Sequence, residues 1–131
     1  MVISFEKENA MRTLNYILLS VADPARSEAF YTSLLGLSPI ENSPTFVLYI
    51  LANGMKLGPW IADDIVPRPL PAGGMEVTFS EADDAAVKMT FRDWSSKAKV
   101  LQEPHMMDFG YTFVLEDPDG HRIRIFAPPA R

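Results

Sequence analysis

Phe113-Val-Leu-Glu-Asp-Pro-Asp-Gly-His-Arg-Ile-Arg-Ile-Phe126 reads as a strand, a tight turn and a second strand. Pro118 fixes its own φ, the side chains of Asp117 and Asp119 can bond to nearby backbone, and Gly120 accepts the positive φ that such turns require. A closing hairpin is therefore predicted. Its last strand carries Arg124, a cation that fixes much of what the rest of the chain can do.

Working back from the hairpin, the same succession of elements occurs twice. In the first half, Leu14 to Val21 is an apolar strand that stops at Ala22-Asp23-Pro24. Asp23 suits a helix N-cap and Pro24 the first helical position, after which Ala29, Phe30, Leu34 and Leu35 recur at helical spacing until Gly36. Ser38 to Glu41 and Thr45 to Leu51 read as strands, and Asn53-Gly54 signals a hairpin into Met55 to Ile61. A linker rich in proline and glycine, Val66 to Gly74, interrupts regular structure. In the second half, Met75 to Ser80 is a strand and Glu81 to Lys97 a helix. Three strands follow: Val100 to Glu103, Tyr111 to Leu115, and His121 to Phe126. The order strand, helix, three strands is thus repeated, and internal duplication is a fold-level signal in its own right. An α+β domain made of two βαβββ modules is predicted, the first over residues 12–65 and the second over residues 73–128 of a single domain spanning 1–131.

Composition narrows the function. The chain has 131 residues, 47% of them hydrophobic, enough for one packed core. Twelve basic and 17 acidic residues give a formal charge of −5, and no Lys/Arg cluster forms a basic stripe, so a nucleic-acid partner is not expected. The absence of Cys removes disulfides, thiolate zinc sites and a cysteine nucleophile. No apolar run approaches the roughly 18 residues of a membrane helix. The default expectation is a cytoplasmic protein with no membrane partner.

The closing hairpin, the duplication, the Asp23-Pro24 helix start and the segment Ala29-Phe30-Tyr31 to Leu35-Gly36-Leu37 together resemble the vicinal oxygen chelate superfamily of glyoxalases, bleomycin resistance proteins and extradiol dioxygenases. The resemblance covers roughly Leu14 to Pro128. It implies a glyoxalase-like fold in which paired modules form a half-open barrel around a cavity. It also implies a homodimer, often with a site built from both chains.

In metal-dependent members of that superfamily, four positions carry the ligands, usually His and Glu. Strand alternation directs Ile17, Leu19 and Val21 to the helix and Tyr16, Leu18 and Ser20 to the cavity, so Tyr16 falls where relatives have a His. Val77 and Phe79 make the better helix-facing pair in the fifth strand, which turns Glu76 inward at the second His position. The alternative register buries an unpaired carboxylate. Arg124 takes the usual Glu position, and aligning the turns at Gly54 and Gly120 places Gly58 at its counterpart. A divalent metal needs converging nitrogen or anionic oxygen donors, and of Tyr16, Gly58, Glu76 and Arg124 only Glu76 is a ready ligand. Neither a metal nor another cofactor is expected. Glu76 and Arg124 have two readings, as an anchor for a polar group of a ligand or as a structural ion pair.

Trp60, two residues beyond Gly58 on the same face, stands beside space that the missing side chain is expected to leave. A flat ligand stacking there and an aromatic at a rim or dimer interface are equal alternatives. The segment Glu103 to Gly110 is read as a loop over the cavity mouth, with Phe109 and its neighbouring methionines as apolar surface. Tyr111 and Phe113 are candidates for the cavity wall or for ordinary core. Trp94 is assigned to helix packing, His105 to an exposed loop, with a proton shuttle as the alternative, and His121 to a hairpin edge.

Within the superfamily the resemblance is nearest to phenazine resistance proteins. It rests on Trp60, Glu76, Asp93-Trp94, Glu103-Pro104, Phe109-Gly110, Thr112-Phe113 and Asp117 to His121 with Ile123-Arg124. It implies metal-independent binding and sequestration of a flat aromatic molecule such as an antibiotic. The candidate ligand-binding residues are Tyr16, Gly58, Trp60, Glu76, Phe109, Tyr111 and Arg124, with no catalytic residue assigned. The alternative is a glyoxalase-like lyase or isomerase, or a dioxygenase, with Glu76 as general base or metal ligand.

Overall fold

A computed structural model describes residues 14–129. In chain order the elements are β1 (Tyr16–Val21), α1 (Pro24–Leu35), β2 (Glu41–Asn42), β3 (Val47–Ile50), β4 (Lys56–Ile61), β5 (Glu76–Ser80), α2 (Asp84–Trp94), β6 (Lys99–Met107), β7 (Gly110–Glu116) and β8 (Arg122–Ala127). They form two four-stranded sheets, in the orders β1-β4-β3-β2 and β5-β8-β7-β6. In each, the first strand of the module runs parallel to the last and the remaining pairs are antiparallel. This is the duplicated βαβββ, α+β arrangement read from the sequence, and neither sheet closes into a barrel. No helix among the described residues is long and apolar enough to cross a membrane.

The helices begin and end where local chemistry directs. Asp23 caps α1 by accepting from the Ala25 N–H at 3.1 Å. Gly36 ends it in the left-handed region at φ 68°, its N–H donating to Thr32 O at 3.0 Å. The second helix is shorter than the sequence suggests. Asp83 caps it through the Ala86 N–H at 2.8 Å, and the Glu81 N–H bonds to Phe126 O, so that residue still serves the strand ladder.

One continuous core joins the modules. Leu19, Val21, Tyr31 and Leu57 of the first cluster with Val77, Val87, Phe113 and Ile125 of the second, all buried. The sheets turn one face toward this core and the helices, and their other faces are open. Trp94 packs edge-on against Phe79 at 5.7 Å, on the helix side as its spacing suggests.

The hairpin turn of residues 117–121 also fastens the second module to the first. Asp117 is buried and accepts from its own turn, from the Asp119 and His121 N–H groups at 2.8 Å each. It also accepts the Tyr31 hydroxyl of α1 at 2.7 Å. Asp119 Oδ1 accepts from the Ala22 N–H at 2.9 Å. His121, 1% exposed, accepts from the Met75 N–H at Nδ1 (3.3 Å), which leaves Nε2 to donate to Ser20 O at 2.9 Å.

Candidate functional site

The open face of the second sheet holds the polar cluster. Val77, Phe113, Ile123 and Ile125 turn toward the core, so Glu76, Thr78, Thr112, Arg124 and Phe126 fall on the other side. Arg124 lies at the centre. Its Nε donates to Glu76 Oε2 at 3.0 Å, and its Nη1 donates to Thr112 Oγ1 at 3.2 Å. Thr112 is fully buried and passes its own proton to Ile125 O at 2.7 Å, which fixes its hydroxyl as an acceptor toward Arg124. Thr78 adds a hydroxyl donor to Glu76 Oε2 at 3.3 Å.

Glu76 and Arg124 therefore do pair, as diagonal neighbours on adjoining strands of one sheet. The register sets Thr78 opposite Arg124 and Glu76 opposite Arg122. The Arg124 side chain is 17% exposed and that of Glu76 37%, so the pair is partly shielded with an edge left open. Phe109 lies over the guanidinium, with 5.3 Å between its ring centre and Cζ. It also meets Phe126 edge-on at 6.0 Å. A cation backed by a carboxylate and capped by a ring can hold an acceptor group beside an aromatic surface.

Tyr111 does not join this cluster. It stands on the helix side of β7 under Lys88 of α2, with Nζ 5.6 Å from the ring centre, and Phe113 stacks edge-on against Phe91. The cause is strand parity: Tyr111 and Phe113 share a face, and the buried Phe113 sends both toward α2.

The first sheet differs from expectation at Gly58. A Cβ there would come within 2.8 Å of Leu18 Cδ2, 3.0 Å of Phe46 Cε1 and 3.2 Å of Leu48 Cδ1. The space beside Trp60 is thus filled by side chains from both neighbouring strands. Leu18 faces Gly58 across the β1/β4 pair, and Phe46 meets Trp60 edge-on at 6.2 Å. Tyr16 is 46% exposed and lies under the Lys56 ammonium, with Nζ 4.8 Å from the ring centre.

The structure groups Glu76, Arg124 and Phe109 on one sheet and Tyr16, Gly58 and Trp60 on the other. Among the described residues, no hydrogen bond or ion pair links the two groups. A cleft of about 310 Å³ at the seam between modules is lined instead by Ile17, Lys56, Leu57, Val77, Thr78 and Phe79, among others.

The segment read as a loop over the cavity is mostly strand. Residues up to Met107 pair with β7, leaving Asp108 and Phe109 as the turn. Pro104, which has no N–H to give, falls within a register shift between Gln102 and His105. Consequently His105 and Gln102 lie opposite Thr112 and Val114, on the same open face as Arg124. Sequence reasoning missed both, along with Thr112 and Phe126. The strict alternation of Tyr111 to Leu115 would have placed Thr112, whereas the position of His105 depends on the bulge.

A metal does not fit these positions. Arg124 places a guanidinium on the one available carboxylate, Gly58 has no donor atom, and among the described residues no three His, Cys, Asp or Glu side chains converge.

Across residues 13–125 the sequence matches the Glyoxalase/Bleomycin resistance protein/Dioxygenase superfamily. The chain belongs to this superfamily. It is 28% identical over 121 residues to the phenazine antibiotic resistance protein EhpR of Enterobacter agglomerans, spanning 86% of this chain and 90% of that protein. Its fold is similar to the solution structure of protein ATC0852 from Agrobacterium tumefaciens, at 44% identity and TM-score 0.80, covering 92% of this chain and 100% of that one. A superfamily protein from Nocardioides shares the fold at 20% identity and TM-score 0.79, covering 92% and 89% of the two chains.

Proposed function

We propose that this protein binds and sequesters a flat, partly apolar aromatic molecule without a metal, in the manner of an antibiotic resistance protein. The arrangement of Arg124 carries this reading. Its guanidinium is held by Glu76 and Thr112 under the Phe109 ring, which offers charge and aromatic surface together. The likeness to a protein named for phenazine resistance supports an aromatic ligand. In the alternative reading, as a lyase, isomerase or dioxygenase, Glu76 is the base or metal ligand, and its Oε2 already accepts from Arg124 and Thr78.

The occupied space at Gly58 moves the primary contact from Trp60 to the second sheet. Tyr16, Leu18 and Ile50 on the first sheet are each more than 40% exposed. We infer that a second copy of the chain covers them in a homodimer, bringing Trp60 to the rim of a site centred on Arg124. Titration of Trp fluorescence with phenazine tests the binding reading. Saturable quenching is expected, weakened at least tenfold in Arg124→Met. Absence of saturable binding overturns the reading. Sedimentation at micromolar concentration tests the dimer, and a monomer at all concentrations rejects it.

A further inference from the structure

We propose that His105 is the hydrogen-bond acceptor by which this face selects an aromatic ligand carrying a hydroxyl group. The inference rests on the binding reading above and assigns the chemistry of its ligand.

The first observation is one of register. Gln102 pairs with Val114 and His105 with Thr112, so three steps along β6 match two along β7. Uninterrupted pairing from Gln102 would set His105 opposite Tyr111, on the helix side. The extra residue at Glu103-Pro104 turns His105 to the open face. There it stands in one cross-strand row with Thr112 and Phe126. Thr112 is also the residue whose hydroxyl accepts from Arg124 Nη1, so it lies between the cation and the imidazole.

The second observation concerns which ring nitrogen carries hydrogen. His105 Nδ1 is 3.0 Å from Glu103 O, and a carbonyl oxygen only accepts. In the neutral ring the proton therefore belongs to Nδ1, leaving Nε2 a lone pair. His105 is exposed, and Nε2 makes no hydrogen bond among the described residues. Arg124 Nη2 is likewise unbonded there. The face thus presents a donor at Arg124 and an acceptor at His105 on either side of Thr112. Phe109 and Phe126 supply the apolar surface between an aromatic ligand and the sheet. The complementary ligand is a heteroaromatic phenol, whose ring nitrogen or carbonyl accepts from Arg124 while its hydroxyl donates to His105.

The test compares phenazine, 1-hydroxyphenazine and 1-methoxyphenazine as probes, read by Trp quenching. Wild-type protein is expected to bind the hydroxy compound five- to tenfold more tightly than the methoxy compound, as one added hydrogen bond provides. His105→Phe is expected to bring that ratio to within twofold of unity, and His105→Gln, which keeps an acceptor, to retain it. Nitrogen-15 NMR of the free protein gives a readout independent of ligand, with Nδ1 expected to carry the proton. A ratio unaltered by His105→Phe, or a proton on Nε2, overturns the assignment while leaving the Arg124-dependent binding of phenazine standing. No saturable binding of any probe overturns both.

Discussion

Tyr31 of α1 donates its phenolic hydrogen to Asp117 at 2.7 Å, across the boundary between the two modules and in the buried core. The contact raises the Tyr31 pKa well above the ordinary phenol value, through burial first and the Asp117 charge second. Removing the hydroxyl leaves Asp117 with the N–H groups of Asp119 and His121. Tyr31→Phe is expected to cost about 1.5–3 kcal/mol, the range for a hydrogen bond to a charged group, measured by chemical denaturation.

The same contact sets a pH dependence. A group whose folded pKa is raised keeps its full contribution below the unfolded value and loses it as pH climbs, because the unfolded chain releases its proton first. Stability should fall from about pH 10 upward, where free tyrosine titrates. Tyr49 is raised in the same direction, also by burial first, so part of the slope should survive in Tyr31→Phe. Denaturation midpoints between pH 8 and 11 check this, and an identical slope in wild type and variant contradicts it.

His121 holds two backbone groups that would otherwise face the module boundary unpaired. His121→Leu is similar in bulk but strips partners from the Ser20 carbonyl and the Met75 N–H. A loss of about 2–6 kcal/mol is expected, at about 1–3 kcal/mol for each group left unsatisfied. Hydrogen exchange should report where, with faster exchange at the Met75 amide.

Arg124 is expected to matter for binding far more than for folding. Its partner Glu76 is over one-third exposed, and Thr112 keeps its bond to Ile125 O when Arg124 is removed. Arg124→Met should therefore change stability by less than about 1 kcal/mol. A loss of several kcal/mol in the melting curve would mark the pair as structural.

Gly58→Ala probes the filled space beside Trp60. The new methyl meets the ends of three side chains at 2.8–3.2 Å, and those must shift to admit it. A cost of about 1–3 kcal/mol is expected for overpacking of this kind. A neutral or stabilising result would mean that the pocket beside Trp60 is open.

Local chemistry made much of this fold readable in advance. Asp23 and Gly36 bracket α1 because capping depends on one side chain and one positive φ. The inward turn of Glu76 followed from alternation against Val77 and Phe79, and the place of Arg124 from the family resemblance. The misreadings arose where distant residues decide. The space at Gly58 is closed by Leu18, Phe46 and Leu48 from neighbouring strands, which no spacing within β4 reveals. His121 looked like a hairpin edge because its partners, Ser20 and Met75, belong to other elements. His105 looked like a loop residue because Pro104 usually ends a strand, whereas here it occupies a bulge and pairing resumes beyond it.

That bulge has a consequence for how the protein can change. Among the described residues β6 lies at the outer margin of its sheet and pairs only with β7, so slipping it by one position disturbs no second strand there. Deletion of a single residue at 103–104 would close the bulge and leave His105 opposite Thr112, whereas closing it at unchanged length would set His105 opposite Tyr111 and exchange the side chains offered to a ligand while the core residues of β7 and β8 stay in place. Ligand preference in this chain can therefore be rewritten by register as readily as by substitution, at a margin where folding tolerates the edit.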